Sequence, residues 1–565
     1  MNERIQPPTY RADISGEAGV ADAFALAAAR LRGTRRLGSA RLRQIASDLR
    51  ANVPERAEQD LREYLAEHPE DADALWLLAH VMMRLGRLRE AVPLLERCAE
   101  LAPDFALARF NYAKLLFHFC QFPAALSELE QLLGSDHHNP IFLELKADLL
   151  DAMGNAEELL AIRQRLASEH PDHPESWIGY GHALRASGFQ DKSVAAYRKA
   201  IECRPSSGEA YWSLANLKTF RFTDGDIATM EGLSKNPNTS SDDRINLLFA
   251  LGRAHELLGI YQRSWEHYAR GNAALRIHIP RDPDTTTERV AADKALFTRD
   301  FFQSRRDAGC KARNPIFVLG RLRSGSTLVE QILSSHSAIE AIGEVTHIRA
   351  LVKRLEEVDA PARGTDYPRI LGELEPSALT ALGEEYLENT RVHRKLGRPY
   401  FIDKNPVNYF QLGMILLILP SAKIIDARRH PAASCLSIFK QNFRGTNRRL
   451  VELGRVYREY VELVAHFDRV LPGRIHRVIY EDMVRDPEAE IRKILDYLGL
   501  PFEDGCLRFY ETERSVRTPS SEQVRRPISR EAVDHWRNYE SWLEPLFESL
   551  GSVFTSYPDV PEDLR

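Results

Sequence analysis

The sequence predicts two architectures in series, an α-helical repeat array followed by a three-layer α/β domain with a mostly parallel sheet. Three observations predict it. Proline and glycine recur on a 34-residue period between Pro69 and Pro205. The stretch Asn314–Leu333 reads as an apolar strand, a glycine-bounded turn and a helix, in that order. Beyond it, short apolar runs alternate with helical patterns as far as Tyr480.

Residues 1–30 carry no period and read as a leader, and residues 31–290 read as the array. Pro69, Pro103, Pro171 and Pro205 share the 34-residue register, and the slot at His137 is followed by Pro140. Gly86, Gly154 and Gly188 keep a second register, with Cys120 in the remaining slot. A helix–turn–helix unit of 34 residues is the tetratricopeptide repeat. In the copy Ala72–Pro103, Trp76, Leu77, Ala79 and Met82 form one face, and Ala91, Leu94, Leu95 and Cys98 the other. Ser176–Pro205 repeats the pattern with Tyr180, Ala183, Gly188, Ala195, Tyr197 and Ala200. A divergent pair follows, Leu247–Leu258 and Tyr261–Leu275. Arg221–Asp243 breaks the register and reads as an inserted loop or a distorted repeat. One unit cannot bury its own apolar face, so the units must stack into an α-solenoid with a concave groove. The groove suits a peptide or protein substrate; a bare scaffold or homodimer platform stays open beside it. A Pro- and Thr-rich break at Ile277–Thr287 leads into the second domain, read over residues 305–565.

At 565 residues the chain exceeds one ordinary core. A net charge of −5 gives no support to bulk nucleic-acid binding. The N-terminus lacks the apolar core of a signal peptide, and apolar runs such as Met414–Leu419 are too short for a membrane span. Six scattered cysteines form no CxxC pair and no metal spacing, so a cytoplasmic compartment and no metal are expected.

The second domain carries the chemistry. Ile316–Leu319 is a buried strand, Gly320–Gly325 a turn, and Leu328, Val329, Ile332 and Leu333 fall at helical spacing. That geometry aims backbone N–H groups and a helix N-terminus at an anion. The glycines keep P-loop spacing, but Ser326 stands where the P-loop lysine belongs, with Thr327 after it. Without that lysine, Mg²⁺-dependent triphosphate hydrolysis is disfavoured. The positive charge sits in the turn instead, at Arg321 and Arg323. Further strands read at Ala338–Gly343, Tyr400–Asp403, Ala422–Ala427 and Arg474–Tyr480. Ligands of parallel sheets sit at the carboxyl ends of the strands. Arg323, Glu344, Lys404 and Arg429 all follow such ends.

Arg323–Leu328 resembles the R-S-G-T-T-L loop of sulfotransferases, which grips the 5′-phosphosulfate of 3′-phosphoadenosine 5′-phosphosulfate (PAPS). Leu322 stands where that family often has proline. Arg429-x-Pro431 followed by Ser437 resembles the family segment that holds the 3′-phosphate. Gly343-Glu344-x-Thr346 resembles the segment of tyrosylprotein sulfotransferases whose glutamate is the catalytic base. Lys404-Asn405-Pro406 resembles their K-D-P turn, with Asn405 in place of aspartate. Val478–Val484 resembles the Y-E-D-L-V strand end, and Leu495–Phe502 its L-G-L-P-F continuation. Arg514–Ile528 resembles their closing loop S-T-D-Q-V-x-K-P, Ser520 matching the serine and Arg526 the lysine.

The resemblance implies PAPS as co-substrate and no metal. Arg323, Ser324, Gly325, Ser326 and Thr327 would hold its 5′ end. Arg429, Ser437 and Arg526 would hold the 3′-phosphate, with Tyr480 and Ser520 beside the nucleotide. Glu344, Lys404 and Arg323 would be catalytic. The implied acceptor is a tyrosine of a peptide or protein; a carbohydrate or small-molecule hydroxyl is the alternative. The missing lysine counts against a P-loop kinase, and intact Glu344, Lys404, Arg429 and Ser437 against a non-catalytic scaffold. Each side chain also has a plainer reading: Glu344 and Arg429 as helix caps, Lys404 and Ser437 as surface residues, Tyr480 as packing.

Overall fold

The computed structural model describes residues 39–50, 54–278, 284–359, 366–443 and 449–564, with a few single positions besides. The leader read over residues 1–30 falls outside the described residues save Ala27, and so do residues 279–283 of the Pro-rich break. The chain divides into two compact units between Ser176 and Trp177. Among the described residues no helix is long and apolar enough to cross a membrane.

The first unit is a run of helices: Ala40–Arg50, Pro54–Glu67, Ala72–Arg84, Leu88–Leu101, Ala106–His118, Phe122–Ser135, Pro140–Ala152 and Ala156–Glu169. Each packs against the next in sequence. Ala79, Ala113 and Ala147, spaced by one repeat, are fully buried, as are Ala91 and Ala125 across the hairpin. These small residues let the paired helices approach. The turn between the helices of a repeat needs one left-handed residue, which glycine adopts without a Cβ clash. Gly86 and Gly154 take it at φ +77° and +72°. Cys120 occupies the same slot at φ +59°, one of the few non-glycine residues held there.

The second unit opens with more helices, among them Gln190–Cys203, Gly208–Ala215, Ser241–Leu257 and Tyr261–His278. The Arg221–Asp243 stretch is not a loop: Asp224–Lys235 is a helix, entered through a capping box of Thr223 and Asp226. Its Met230 is buried against Leu247, Leu251 and Ala254. Ile245, Phe249, Tyr268 and Leu275 of the last hairpin share one core with Phe317, Leu319, Phe401 and Ile424 of the sheet. The compact division therefore falls inside the helical array.

The sheet comprises β1 (Pro315–Gly320), β2 (Ile339–Gly343), β3 (Tyr400–Lys404), β4 (Lys423–Arg428) and β5 (Ile475–Ile479), in the order β2-β3-β1-β4-β5. All pairings are parallel. Every residue of β1 is buried. Its side chains alternate between two cores, Phe317 and Leu319 on one face, Ile316 and Val318 on the other. Helices Ser326–Ser334 and Pro487–Leu498 contribute to the second core, and Leu412–Ile418, Pro431–Phe439 and Leu450–Val470 to the first. Sheet buried on both faces is the three-layer arrangement the strand–helix alternation predicts. The chain leaves β1 for β2 on one side and later for β4 on the other, so the β1 turn stands at the topological switch point.

The sequence reads Val407–Leu419 and Ala432–Phe443 as helices and Arg474–Tyr480 as a strand, and the structure draws each differently. Val407–Leu419 is a 3₁₀ segment, Pro406–Gln411, followed by a short α-helix from Leu412. The helix after β4 stops at Phe439. Tyr480 opens the helix Tyr480–Arg485 instead of ending β5.

Cys120 supplies a test of the turn slot. Cys120→Gly should raise stability by about 1 kcal/mol, the left-handed strain removed less the added unfolded-state entropy. Urea unfolding followed by circular dichroism measures it.

Candidate active site

The turn after β1 is pinned by close backbone approach. A Cβ on Gly320, at φ +144°, would lie 2.2 Å from the Ala427 carbonyl oxygen. A Cβ on Gly325, at φ +93°, would lie 2.7 Å from the Tyr480 ring. Gly325 is the N-cap of helix Ser326–Ser334, and no side chain caps that N-terminus. Its first-turn N–H groups are thus of the kind that binds an anion. Ser434 Oγ donates to the Leu322 carbonyl at 3.0 Å, tying the turn to helix Pro431–Phe439.

Arg323, at φ +66°, is a strained non-glycine residue at the tip. Its Nε donates to Ser437 Oγ at 3.0 Å and its Nη1 to Ser520 Oγ at 3.1 Å. One guanidinium therefore joins the β1 turn, the helix after β4 and the loop 514–528. Burial, then the nearby Arg429 charge, pull its pKa down to about 10, against Tyr480 and Glu344. A cation depressed this way is relieved by an anion. Two polar atoms of the turn, Ser324 Oγ and Arg321 Nε, are buried without a hydrogen-bond partner. Arg321 is otherwise anchored through Nη1 on the Tyr409 hydroxyl at 3.0 Å. Unspent donors, a cation and an uncapped helix start fit a phosphosulfate group.

Glu344, exposed at the end of β2, pairs with Lys404 at the end of β3. Lys404 is 1% exposed and has a second carboxylate, Glu330, at 3.7 Å. Glu330 in turn meets Arg514 Nη2 at 3.2 Å, while Arg514 Nε donates to Gln331 Oε1 at 2.6 Å. Asp403, beside Lys404, points to the opposite side of the strand. It accepts from the Tyr386 hydroxyl at 2.9 Å and from Asn408 Nδ2 at 3.4 Å. Burial, reinforced by Glu330 and Glu344, pushes its pKa up to about 8 against the Tyr386 hydrogen bond.

Arg429 lies 4.7 Å from the Tyr480 ring centroid and donates to the Ala532 carbonyl. The Tyr457 hydroxyl fixes its backbone carbonyl at 2.6 Å. Its guanidinium does not reach Ser437, whose oxygen serves Arg323 instead. Thr327 Oγ1 lies 3.3 Å from Thr518 Oγ1 of the loop. The expected residues Arg323–Thr327, Ser437, Ser520, Arg429 and Tyr480 thus share one rim, with the Glu344–Lys404 pair near Arg323. Arg526 stands apart: it is exposed, and its side chain makes no hydrogen bond or ion pair among the described residues. The neighbouring Arg525 binds the Ala186 and Arg514 carbonyls at 2.8 and 3.0 Å. A Cβ on Gly343 would meet Arg517 Nη2 at 3.4 Å.

Sequence reasoning missed Glu330, Gln331 and Arg514. Glu330 and Gln331 sit between apolar pairs where a helical wheel suggests solvent, yet they are 2% and 0% exposed. A Glu-Gln pair one turn into a helix that opens an anion site was the available signal.

Asp403 supplies a test with a definite sign. Between the ordinary value of 3.8 and about 8 the folded state holds a proton that the unfolded state has lost. This group's stability contribution is whole below the lower value and falls as pH rises through the window. Asp403→Asn should fold and flatten the decline by about one bound proton in urea titrations at stepped pH.

Residues 315–504 match the Sulfotransferase family, and residues 49–97 and 85–149 match the Tetratricopeptide repeat. An uncharacterized protein of Aquifex aeolicus is 27% identical over 80% of this chain and 60% of its own length. Protein-tyrosine sulfotransferase 1 of Danio rerio is 26% identical over 39% of this chain and 65% of its own length. Omega-hydroxy-beta-dihydromenaquinone-9 sulfotransferase Stf3 of Mycobacterium bovis is 24% identical over 39% of this chain and 73% of its own length. The chain thus spans less than two thirds of the first two relatives. Its C-terminal half holds a sulfotransferase-family domain, and tetratricopeptide repeats precede that domain.

Proposed function

We propose that the chain transfers the sulfuryl group of PAPS to the hydroxyl of a tyrosine in a peptide or protein. The observation that carries this reading is the Arg323 guanidinium, which gathers Ser437 and Ser520 from segments over a hundred residues away. All three belong to motifs expected around the same nucleotide. The turn amides and Ser324 Oγ would bind the 5′-phosphosulfate, and Arg429 with Ser437 the 3′-phosphate.

The acceptor oxygen attacks sulfur in line as the bond from sulfur to the 5′-phosphate oxygen breaks. Glu344 takes the acceptor proton; a phenol is a poor nucleophile until that proton leaves. Lys404 leaves its pairing with Glu344 to neutralise the charge growing on the bridging oxygen, a stabilisation concentrated in the transition state. Glu330 and Arg514 keep the Lys404 ammonium in place. The products are the sulfate ester and 3′-phosphoadenosine 5′-phosphate. Positioning and fixed charge supply the rate, as in phosphoryl transfer, and no metal is required. The helical array would present the peptide.

The Mycobacterium bovis relative, named for an omega-hydroxylated menaquinone and of comparable identity, supports a second reading, a small-molecule hydroxyl as acceptor. Mass spectrometry of peptide, glycan and lipid-extract pools after incubation with PAPS decides between them by where an 80 Da sulfuryl increment, the mass of SO₃, is found on roughly any acceptor. Thermal melting should rise with 3′-phosphoadenosine 5′-phosphate and not with ATP. Arg429→Ala should weaken that ligand by roughly tenfold, the loss of one charge-assisted hydrogen bond. Glu344→Gln should bind it normally and turn over about 10² to 10⁴ times more slowly. Full turnover in that variant would remove Glu344 as base.

A further inference from the structure

Three helices late in the array, Asp224–Lys235, Ser241–Leu257 and Tyr261–His278, bring together side chains that no motif contains. Met230 is buried against Leu247, Leu251 and Ala254, and this packing sets the next residue, Glu231, beside His255. Tyr268 donates its hydroxyl to Glu256 Oε2 at 3.1 Å, and one residue back on both helices His267 lies against His255. The two imidazole rings have centroids 5.1 Å apart and planes inclined by 24°. The Glu231 carboxylate and one nitrogen of each ring all lie within 4.8 Å of one another. Among the described residues no other three histidine, cysteine, aspartate or glutamate side chains gather their ligand atoms this closely.

The hydrogen bonds leave ligand atoms open. His255 is 2% exposed, and its Nδ1 donates to the Leu251 carbonyl at 2.9 Å, which leaves the lone pair on Nε2. That Nε2 lies 3.9 Å from Glu231 Oε1, too far for a hydrogen bond. His267 Nδ1 is buried and has no hydrogen-bond partner. Ordinary packing would close that gap or spend that nitrogen on a neighbour, because a buried polar atom left unpaired costs stability. A tetrahedral ion accounts for both. Two imidazoles bound to one zinc hold their centroids about 5 Å apart, which is the spacing already present. Their ligand atoms then lie roughly 3.4 Å apart, so the three side chains need close by little more than about 1 Å. A histidine that gives its Nδ1–H to a backbone carbonyl and turns Nε2 to the ion is the usual supported metal ligand.

We propose that Glu231, His255 and His267 bind one divalent transition-metal ion, zinc by the chemistry of the set, with the fourth position left to water. Two imidazoles select zinc over magnesium and calcium, which take oxygen ligands. The ion clips the helix Asp224–Lys235, the one that breaks the 34-residue register, to the hairpin that shares the sheet's core. Its role is structural. None of the three ligands belongs to the rim around Arg323, no step of sulfuryl transfer passes through the ion, and the inference stands without the PAPS reading. The six cysteines, which show no metal spacing, take no part in it.

The test uses the full chain without an affinity tag, treated with a chelator and exchanged into chelator-free buffer. Zinc and magnesium are titrated by calorimetry, and cobalt is added in place of zinc so that its visible spectrum reports the geometry. The parent should take up one equivalent of zinc, melt higher with it, show the strong bands of four-coordinate cobalt and ignore magnesium. Glu231 and His267 are only partly buried, so Glu231→Gln and His267→Gln should fold, which circular dichroism checks without metal. Each should weaken zinc by about a hundredfold or more, beyond the roughly 10- to 100-fold that loss of a supporting partner costs, and each should lose the cobalt bands. A parent that binds no zinc, a variant of either residue that keeps the parent's zinc affinity, or magnesium raising the melting temperature as far as zinc does overturns the assignment.

Discussion

A missing side chain sets the geometry of the site. Gly320 pairs with Ala427 in the register of β1 against β4, and a Cβ there would run into the Ala427 carbonyl. Because nothing occupies that space, the turn folds directly over the end of β4. The residues that follow β4, Arg429 and the helix from Pro431, are then held beside the turn without any flexible connection. Register of two central strands thus fixes the separation between the β1 turn and the helix that follows β4. Beneath it, Asp426 binds Arg428 and Arg477 at 3.0 Å each, with the Tyr460 hydroxyl on its other oxygen. This ion cluster, with Asp426 and Arg428 fully buried, resists a slip of β4 against β5, since a slip would strand charges out of water.

Two kinds of charge meet on the rim, and their difference gives each a task. Lys404 is paired on two sides, with Glu344 and Glu330, and Glu330 is balanced by Arg514. That end is internally neutralised and suits proton transfer and leaving-group stabilisation. Arg323 has no carboxylate bonded to it and makes do with two serine hydroxyls. That end suits the delivery of negative charge. Folding pays for this unpaired cation elsewhere, in the two apolar cores that sandwich the sheet.

The strands, the turn and the polar group at each strand end were legible because a parallel strand writes itself as a short apolar run and its ligand residue follows directly. The repeat was legible for a similar reason: a 34-residue period survives even where Cys120 replaces the expected glycine. What stayed hidden depends on tertiary context. Thr223, Asp226 and Ser240 are residues of loops and of helix caps alike, so the helix between them looked irregular. Glu330 and Gln331 sit on a helix covered on both sides, where periodicity no longer separates core from solvent. Arg429 and Ser437 fit a phosphate motif by spacing, yet their side chains take different partners, which spacing does not specify.

The closing loop explains why the later helices of the array and the sheet form one compact unit. Between Arg514 and Ile528 the chain has a single 3₁₀ turn, Gln523–Arg525, and no strand ladder to satisfy its backbone. The array supplies the missing partners. Val516 N–H donates to the Ala186 carbonyl at 3.1 Å, Arg525 binds the same oxygen at 2.8 Å, and Glu522 takes the Lys218 N–H. Asn272 reaches the Phe439 carbonyl at 2.8 Å, and Ser264 meets the Tyr539 hydroxyl at 2.8 Å. The loop borrows its order from helices that also share the sheet's core. The same contacts that hold the loop hold Ser520 against Arg323, so the helical array supports the tip of the β1 turn through the loop.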